Sequence, residues 1–201
     1  MKPQHVLSFW FGGPGDAVTV AARQAGLWWG GGEAIDADIR RRFGALHTAA
    51  AAGELDHWAA TPAGRLALII VLDQFSRNLF RGRAGAFAQD AKALQLARAA
   101  IAAGADRKLA PIRRVFFYLP LEHAEDLAAQ RLCVEKFTAL RDGATAAARK
   151  TFDFYLDFAW QHYDIIARFG RFPHRNAALG RGSTAEETAW LQASKTHFGQ
   201  G

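Results

Sequence analysis

From Thr145 to Phe169 the apolar residues recur at intervals of three and four, and this period limits the possible fold more than any other feature. Phe152, Tyr155, Leu156, Ala159, Tyr163 and Ile166 fall on one helical face, while Asp153, Asp157, Gln161, Asp164 and Arg168 fall on the opposite one. Asp164 and Arg168 have the spacing of an i, i+4 ion pair. A strand would need alternation at every second residue, and no stretch sustains it. The expected fold is all-α. Leu66 to Leu72, "LALIIVL", is apolar all round, so its helix should be central and covered on most sides.

Helix ends are written just as plainly. Thr61-Pro62 supplies an N-cap with proline at the first helical position, Pro111 and Pro120 suit first turns, and Ser183-Thr-Ala-Glu186 reads as a capping box. Gly53, Gly82, Gly104, Gly143 and Gly170 close apolar-periodic segments, as expected of residues that take a left-handed backbone. Helices are expected over 34–52, 62–80, 84–103, 111–118, 121–142, 145–169 and 183–197, with shorter ones near 4–11 and 17–29. Short connections make these antiparallel helical hairpins in a single domain, residues 1–201. Pro120 biases Leu119 toward an extended backbone, which predicts a break and a reversal there. The helix ends near Arg81, Pro120 and Arg168 would then share one end of the bundle. One long helix merely kinked at Pro120 would instead carry its polar residues to the far end.

Charge and cysteine usage narrow the classes. The formal charge is +6 and the only cysteine is Cys133, so no internal disulfide framework or cysteine-cluster zinc site can form. Cys133 shares a helical face with Phe137 and Leu140 and reads as an inert core thiol. "MKPQHVLSFWFGG" lacks a sustained apolar region and a cleavage site, and the apolar run at 66–72 is too short to span a bilayer. A cytoplasmic protein with no membrane contact is the expectation.

Three segments spend polar residues where a plain bundle needs none. "LDQFSRNLFRGR" (72–83) sets Asp73, Arg77 and Arg81 on one helical line with Gln74 and Asn78 beside it. "YLPLEHAEDLAAQ" (118–130) carries Glu122, His123, Glu125, Asp126 and Gln130. "RFGRFPHRNAALGRGST" (168–184) interleaves Arg168, Arg171, His174, Arg175 and Arg181 with Phe169 and Phe172. Asp73, in an otherwise apolar helix, should pair with a basic group from one of the other two segments, with Arg168, Arg171 and Arg175 the foremost candidates. If the segments converge, Arg77, Arg81, Arg171 and Arg175 suit a phosphate or carboxylate, because guanidinium forks match such anions. Asp73, Asn78, Glu122, His174 and Asn176 would complete the binding set, with His123 and Asp126 as candidate acid–base partners.

These three blocks, with "VLSFWFG" near the start and "STAEETAWL" near the end, closely resemble the bacterial domain-of-unknown-function family 924. Gln74-Phe-Ser-Arg-Asn78 has serine where the family's usual wording has proline. The resemblance implies a tetratricopeptide-like helical array and supplies no catalytic residues.

Each site reading has a structural counterpart. The loop arginines can serve as a clasp to Asp73, Glu122 and Asp126, and the acidic first turn after Pro120 can favour a helix dipole. Phe169 and Phe172 read as anchors, Asn176 as turn chemistry, Ser183 as a cap, and His162 as a satisfied core histidine. One Glu-His-x-x-Asp motif does not make a di-metal site, and neither a Walker loop nor a dinucleotide-binding glycine pattern occurs, so no metal or cofactor is expected. The sequence thus favours a polar cleft for a small anionic metabolite, with room for hydrolytic or transfer chemistry. A helical scaffold binding a protein partner comes second. RNA binding comes last, because carboxylates are spread through every helix.

Overall fold

The central helix begins as its sequence dictates. Thr61 caps it by accepting from the Gly64 N–H at 3.1 Å, and Pro62 occupies the first turn. The computed structural model describes residues 1–193, and all regular structure among them is helical. In chain order the helices are α1 (Pro3–Phe11), α2 (Ala17–Trp29), α3 (Glu33–Ala51), α4 (Pro62–Ile70), α5 (Ser76–Leu79), α6 (Asp90–Ala102), α7 (Pro111–Glu122), α8 (Leu127–Asp142), α9 (Ala146–Phe169) and α10 (Ala185–Ala193). A π-helical turn, Val71–Phe75, joins α4 to α5. The expected continuation of α10 to His197 lies outside the described residues.

Leu66 through Leu72 have no exposed surface, which puts the all-apolar helix at the centre. Helices α1, α6 and α7 pack on α4, and α3 packs on the π turn and α5. Aromatic rings fill the space between α1, α2 and α7. Trp10 meets Phe116 edge-on at 5.4 Å, and Trp28 meets Phe116 at 4.6 Å. Such pairs add about 0.5–1.5 kcal/mol each beyond the area they bury. The predicted face of α9 is the buried one, with Phe152, Tyr155, Leu156, Ala159 and Ile166 inside.

Several boundaries differ from those the sequence suggests. Helix α7 does not stop at Pro120 but runs through it to Glu122. Proline costs a helix one hydrogen bond, to the carbonyl four residues back. In a last turn that cost is small, and the His123 N–H still closes the turn on the Leu119 carbonyl at 2.9 Å. The reversal comes between His123 and Asp126. Asp126 caps α8 by accepting from the Ala128 and Ala129 N–H groups, and Gln130 Nε2 reaches back to the Glu122 and Ala124 carbonyls at 2.6 and 2.8 Å. A reversal delayed by one turn preserves the parity, so the three polar segments still share one end. The stretch before Asp90 forms a short 3-10 turn over Ala84–Ala86 instead of the first turns of α6.

Other local expectations fail for local reasons. In "STAEE" two registers fit a capping box, and the structure uses Thr184 with Glu187, not Ser183 with Glu186. Gly170 closes α9 at φ 69°, whereas Gly143 stays right-handed at φ −82°. Arg168 pairs with Glu186 at 2.8 Å in place of Asp164.

Candidate functional site

The π turn carries the first site residue. Such turns insert one extra residue into a helix and are frequent at functional sites. Here the turn holds Asp73 with no exposed surface, directly after the fully buried apolar run Leu66–Leu72. Its Oδ1 accepts from His123 Nδ1 at 2.8 Å and lies 3.2 Å from Arg77 Nη1, while Oδ2 accepts from Gln74 Nε2 at 2.6 Å. The partner does come from another of the three segments, as expected, but it is not Arg168, Arg171 or Arg175. The histidine of the α7–α8 turn takes their place. Burial opposes the charge on Asp73, but Arg77 and His123 outweigh it and hold the carboxyl far below the usual range.

This pairing fixes the chemistry of His123. An ionised carboxylate only accepts hydrogen bonds, so His123 Nδ1 carries the proton and Nε2 keeps its lone pair. Burial and the Arg77 charge lower the His123 pKa against the pull of Asp73, so the ring is neutral near pH 7. An oriented neutral imidazole is the form a general base needs. Asp126, expected to be its partner, is not: it caps α8 and binds Arg98 at 2.8 Å. Glu125 is likewise engaged, by Arg181 and the Phe172 N–H.

Glu122 ends α7 beside His123 and is 4% exposed. Its Oε2 has no hydrogen-bond partner among the described residues. Burial, then the Asp73 charge, pushes its carboxyl up to about 8 despite Arg77. It is therefore protonated at neutral pH. His162 of α9 lies 3.5 Å from Glu122 Oε1 and donates Nδ1–H to the Phe158 carbonyl at 2.9 Å. Burial, reinforced by His123, keeps it neutral. It is the buried, bonded histidine its sequence context suggests, and it also lines the cavity.

Arginines approach from the other side. Arg77 forks onto Asp90 at 2.9 and 3.1 Å. Arg175 reaches the same carboxylate at 3.3 Å, with its guanidinium 4.6 Å from the Phe87 ring centre and 4.4 Å from that of Phe172. Arg175 is 6% exposed and its Nε has no partner among the described residues. Burial, with Arg77 nearby, presses its pKa down to about 10. Arg81 and Asn78 both bind Asp36 of α3.

These groups line a recess of about 260 Å³. Arg77, Asn78, Arg81, Glu122, His123, His174 and Arg175 border it, and Trp29, Phe154 and Phe158 form an apolar wall. Three guanidinium groups (Arg77, Arg81, Arg175) face three carboxylates (Asp36, Asp73, Asp90). Sequence reasoning missed Asp36 and Asp90, since an acidic residue on a helix's first turn ordinarily serves the dipole. Phe154 and Phe158, one turn apart on α9 and apart from its main buried face, are the sequence sign of the wall.

Three residues of the expected ligand set do not line the recess: Asp73 is wholly buried and bonded to His123, and Arg171 and Asn176 lie elsewhere. Arg171 binds Glu187 through Nε and Nη2 at 2.6 and 2.8 Å, and Asn176 bonds to Ser183 and Glu187. With Arg181 on Glu125 they fasten the 168–184 segment to the body of the protein.

Fold and site together define an all-helical protein in which a polar and aromatic recess lies where three chain segments meet. It belongs to the bacterial family of unknown function DUF924, whose model matches residues 6–195. A solved structure, the protein of unknown function ATU0120 from Agrobacterium tumefaciens, is 40% identical, with a TM-score of 0.73. The likeness covers 89% of this chain and 100% of that one. No curated protein matches the chain. No helix among the described residues is long and apolar enough to cross a membrane.

Proposed function

We propose that the recess binds a small metabolite through an anionic group held at Arg175 and performs acid–base chemistry on it with His123 as the base. The observation that carries this reading is the orphaned Nε of Arg175. A buried guanidinium normally satisfies its donors, and a missing bond there costs about as much as desolvating the group. A carboxylate or phosphate oxygen at that position would supply the acceptor. The Asp73–His123 pair stands at the same recess with a lone pair on Nε2. Asp73 positions the ring and stabilises the imidazolium that proton abstraction would create, while Trp29, Phe154 and Phe158 would hold the apolar part of the ligand.

Two measurements test it. Small carboxylates and phosphates should raise the Tm of the native protein by the mass-action shift of a native-state ligand, and Arg175→Met should abolish that rise. Nitrogen NMR of the imidazoles should find His123 neutral at pH 7 with its proton on Nδ1. A proton on Nε2 would remove the base. A co-purifying protein partner with no small-molecule response would favour a helical scaffold instead. The pairing of the site arginines with carboxylates speaks against an RNA track.

A further inference from the structure

Two buried polar atoms of opposite kind at the recess have no hydrogen-bond partner among the described residues. Arg175 Nε is a donor on a cation, and Glu122 Oε2 belongs to a carboxyl group. A purely anionic ligand would satisfy the first and leave the second. Aromatic rings crowd the same space: Trp29, Phe154, Tyr155 and Phe158 line it together with Glu122. Aromatic faces beside a carboxyl group are the surroundings that stabilise an organic cation. With the paired charges balanced, the recess as a whole favours neither sign, and a ligand of zero net charge leaves that balance intact.

We propose that the natural ligand is a small zwitterion with an apolar body, its carboxylate on Arg175 and its ammonium on Glu122 against the aromatic wall. This rests on the reading of Arg175 as the anion site and adds the second contact. An apolar α-amino acid is the simplest molecule of the class.

The contact couples binding to proton release. Glu122 faces Asp73 and Arg77 from the central helix, His162 from α9, the Cys133 thiol of α8, and its neighbour His123. Asp73 and Arg77 stay charged, while burial keeps the thiol and both imidazoles neutral near pH 7. Glu122 is then the group whose state the ligand changes. When the ammonium arrives, the Glu122 O–H bond breaks, the proton leaves to solvent, and the carboxylate pairs with the cation.

Titration calorimetry with L-phenylalanine and L-leucine, run at pH 7 in buffers of different ionisation enthalpy, tests this directly. The expected result is binding with release of about one proton, and affinity rising about tenfold per pH unit between pH 6 and 7. N-acetyl-L-phenylalanine, which lacks the cation, and L-phenylalaninamide, which lacks the anion, should each bind at least about tenfold more weakly, the scale of one lost charged contact. Glu122→Gln keeps the side chain's shape and should abolish proton release and the preference for the free amine. The acetylated compound binding as well as the free amino acid, or binding without proton release, overturns the zwitterion and leaves the anion site standing. No response of the native protein to any carboxylate, or a response that survives in Arg175→Met, overturns both.

Discussion

The clasp and the recess are built from the same kinds of residue and end in opposite states. In the clasp every carboxylate is fully used. Glu187 takes Arg171, the Thr184 N–H and Asn176, and Glu125 takes Arg181 and the Phe172 N–H. In the recess, Arg175 Nε and Glu122 Oε2 are buried with no hydrogen-bond partner among the described residues. Both regions carry arginines, acids and phenylalanines, so composition does not separate them. What separates them is satisfaction. A finished network stabilises the fold, whereas an unfinished one carries a standing cost that a ligand can relieve.

The comparison breaks most visibly at Asp73, which belongs to the recess yet is fully bonded. Asp73→Ala removes the carboxylate that His123 is bonded to and leaves Arg77 only Asp90, and it should cost about 3–5 kcal/mol in denaturant unfolding, the usual loss when one partner of a buried pair is removed. An unchanged midpoint would mean that the pair contributes nothing to the fold.

Glu122 should behave in the opposite sense. Its folded pKa, about 8, lies above the ordinary carboxylate value, so the folded state binds more protons between about pH 4.5 and 8. By linkage this contribution to stability is intact below pH 4.5, falls as pH rises through that window, and is constant above 8. At about 1.4 kcal/mol per pKa unit the fall amounts to several kcal/mol. The buried histidines slope the other way below their unfolded pKa, so the useful quantity is the difference between native protein and Glu122→Gln across pH. The variant should be the more stable partner at pH 8 and lose that advantage at pH 5. A difference that does not change with pH would show Glu122 to be ionised throughout.

Glu187 is the clasp's counterpart. Arg171, against a smaller effect of burial, holds its carboxyl down to about 2. A depressed pKa contributes stability above the unfolded value that is lost as pH falls through the folded one. Glu187→Gln should therefore cost about 1–2 kcal/mol at pH 7, in the range of a charge-assisted hydrogen bond, and the deficit should vanish between pH 4.5 and 2. The anion response of the recess should survive this substitution. If it disappears, clasp and recess are one unit.

Arg175→Met should have the smallest effect on stability, within about 1 kcal/mol of native, because an apolar chain of similar length replaces an incompletely bonded buried charge. A loss as large as that of Asp73→Ala would place Arg175 with the clasp.

The sequence by itself determined the helical class, most helix starts, the central position of Leu66–Leu72 and the buried face of α9, because each follows from local period or capping chemistry. It also picked out the three polar segments, since charges inside apolar periodic helices are visible without coordinates. Tertiary structure decided the partners. That Asp73 meets His123 and not an arginine depends on a π turn and on where α7 stops beyond Pro120, differences of one helical turn that local preference does not resolve. Asp36 and Asp90 entered the site from helices with no sequence signal of their own, placed there by packing alone. Satisfaction was decided last: whether a buried atom finds its partner depends on every neighbour at once, and only the assembled chain leaves Arg175 and Glu122 wanting while Arg171 and Glu187 are complete.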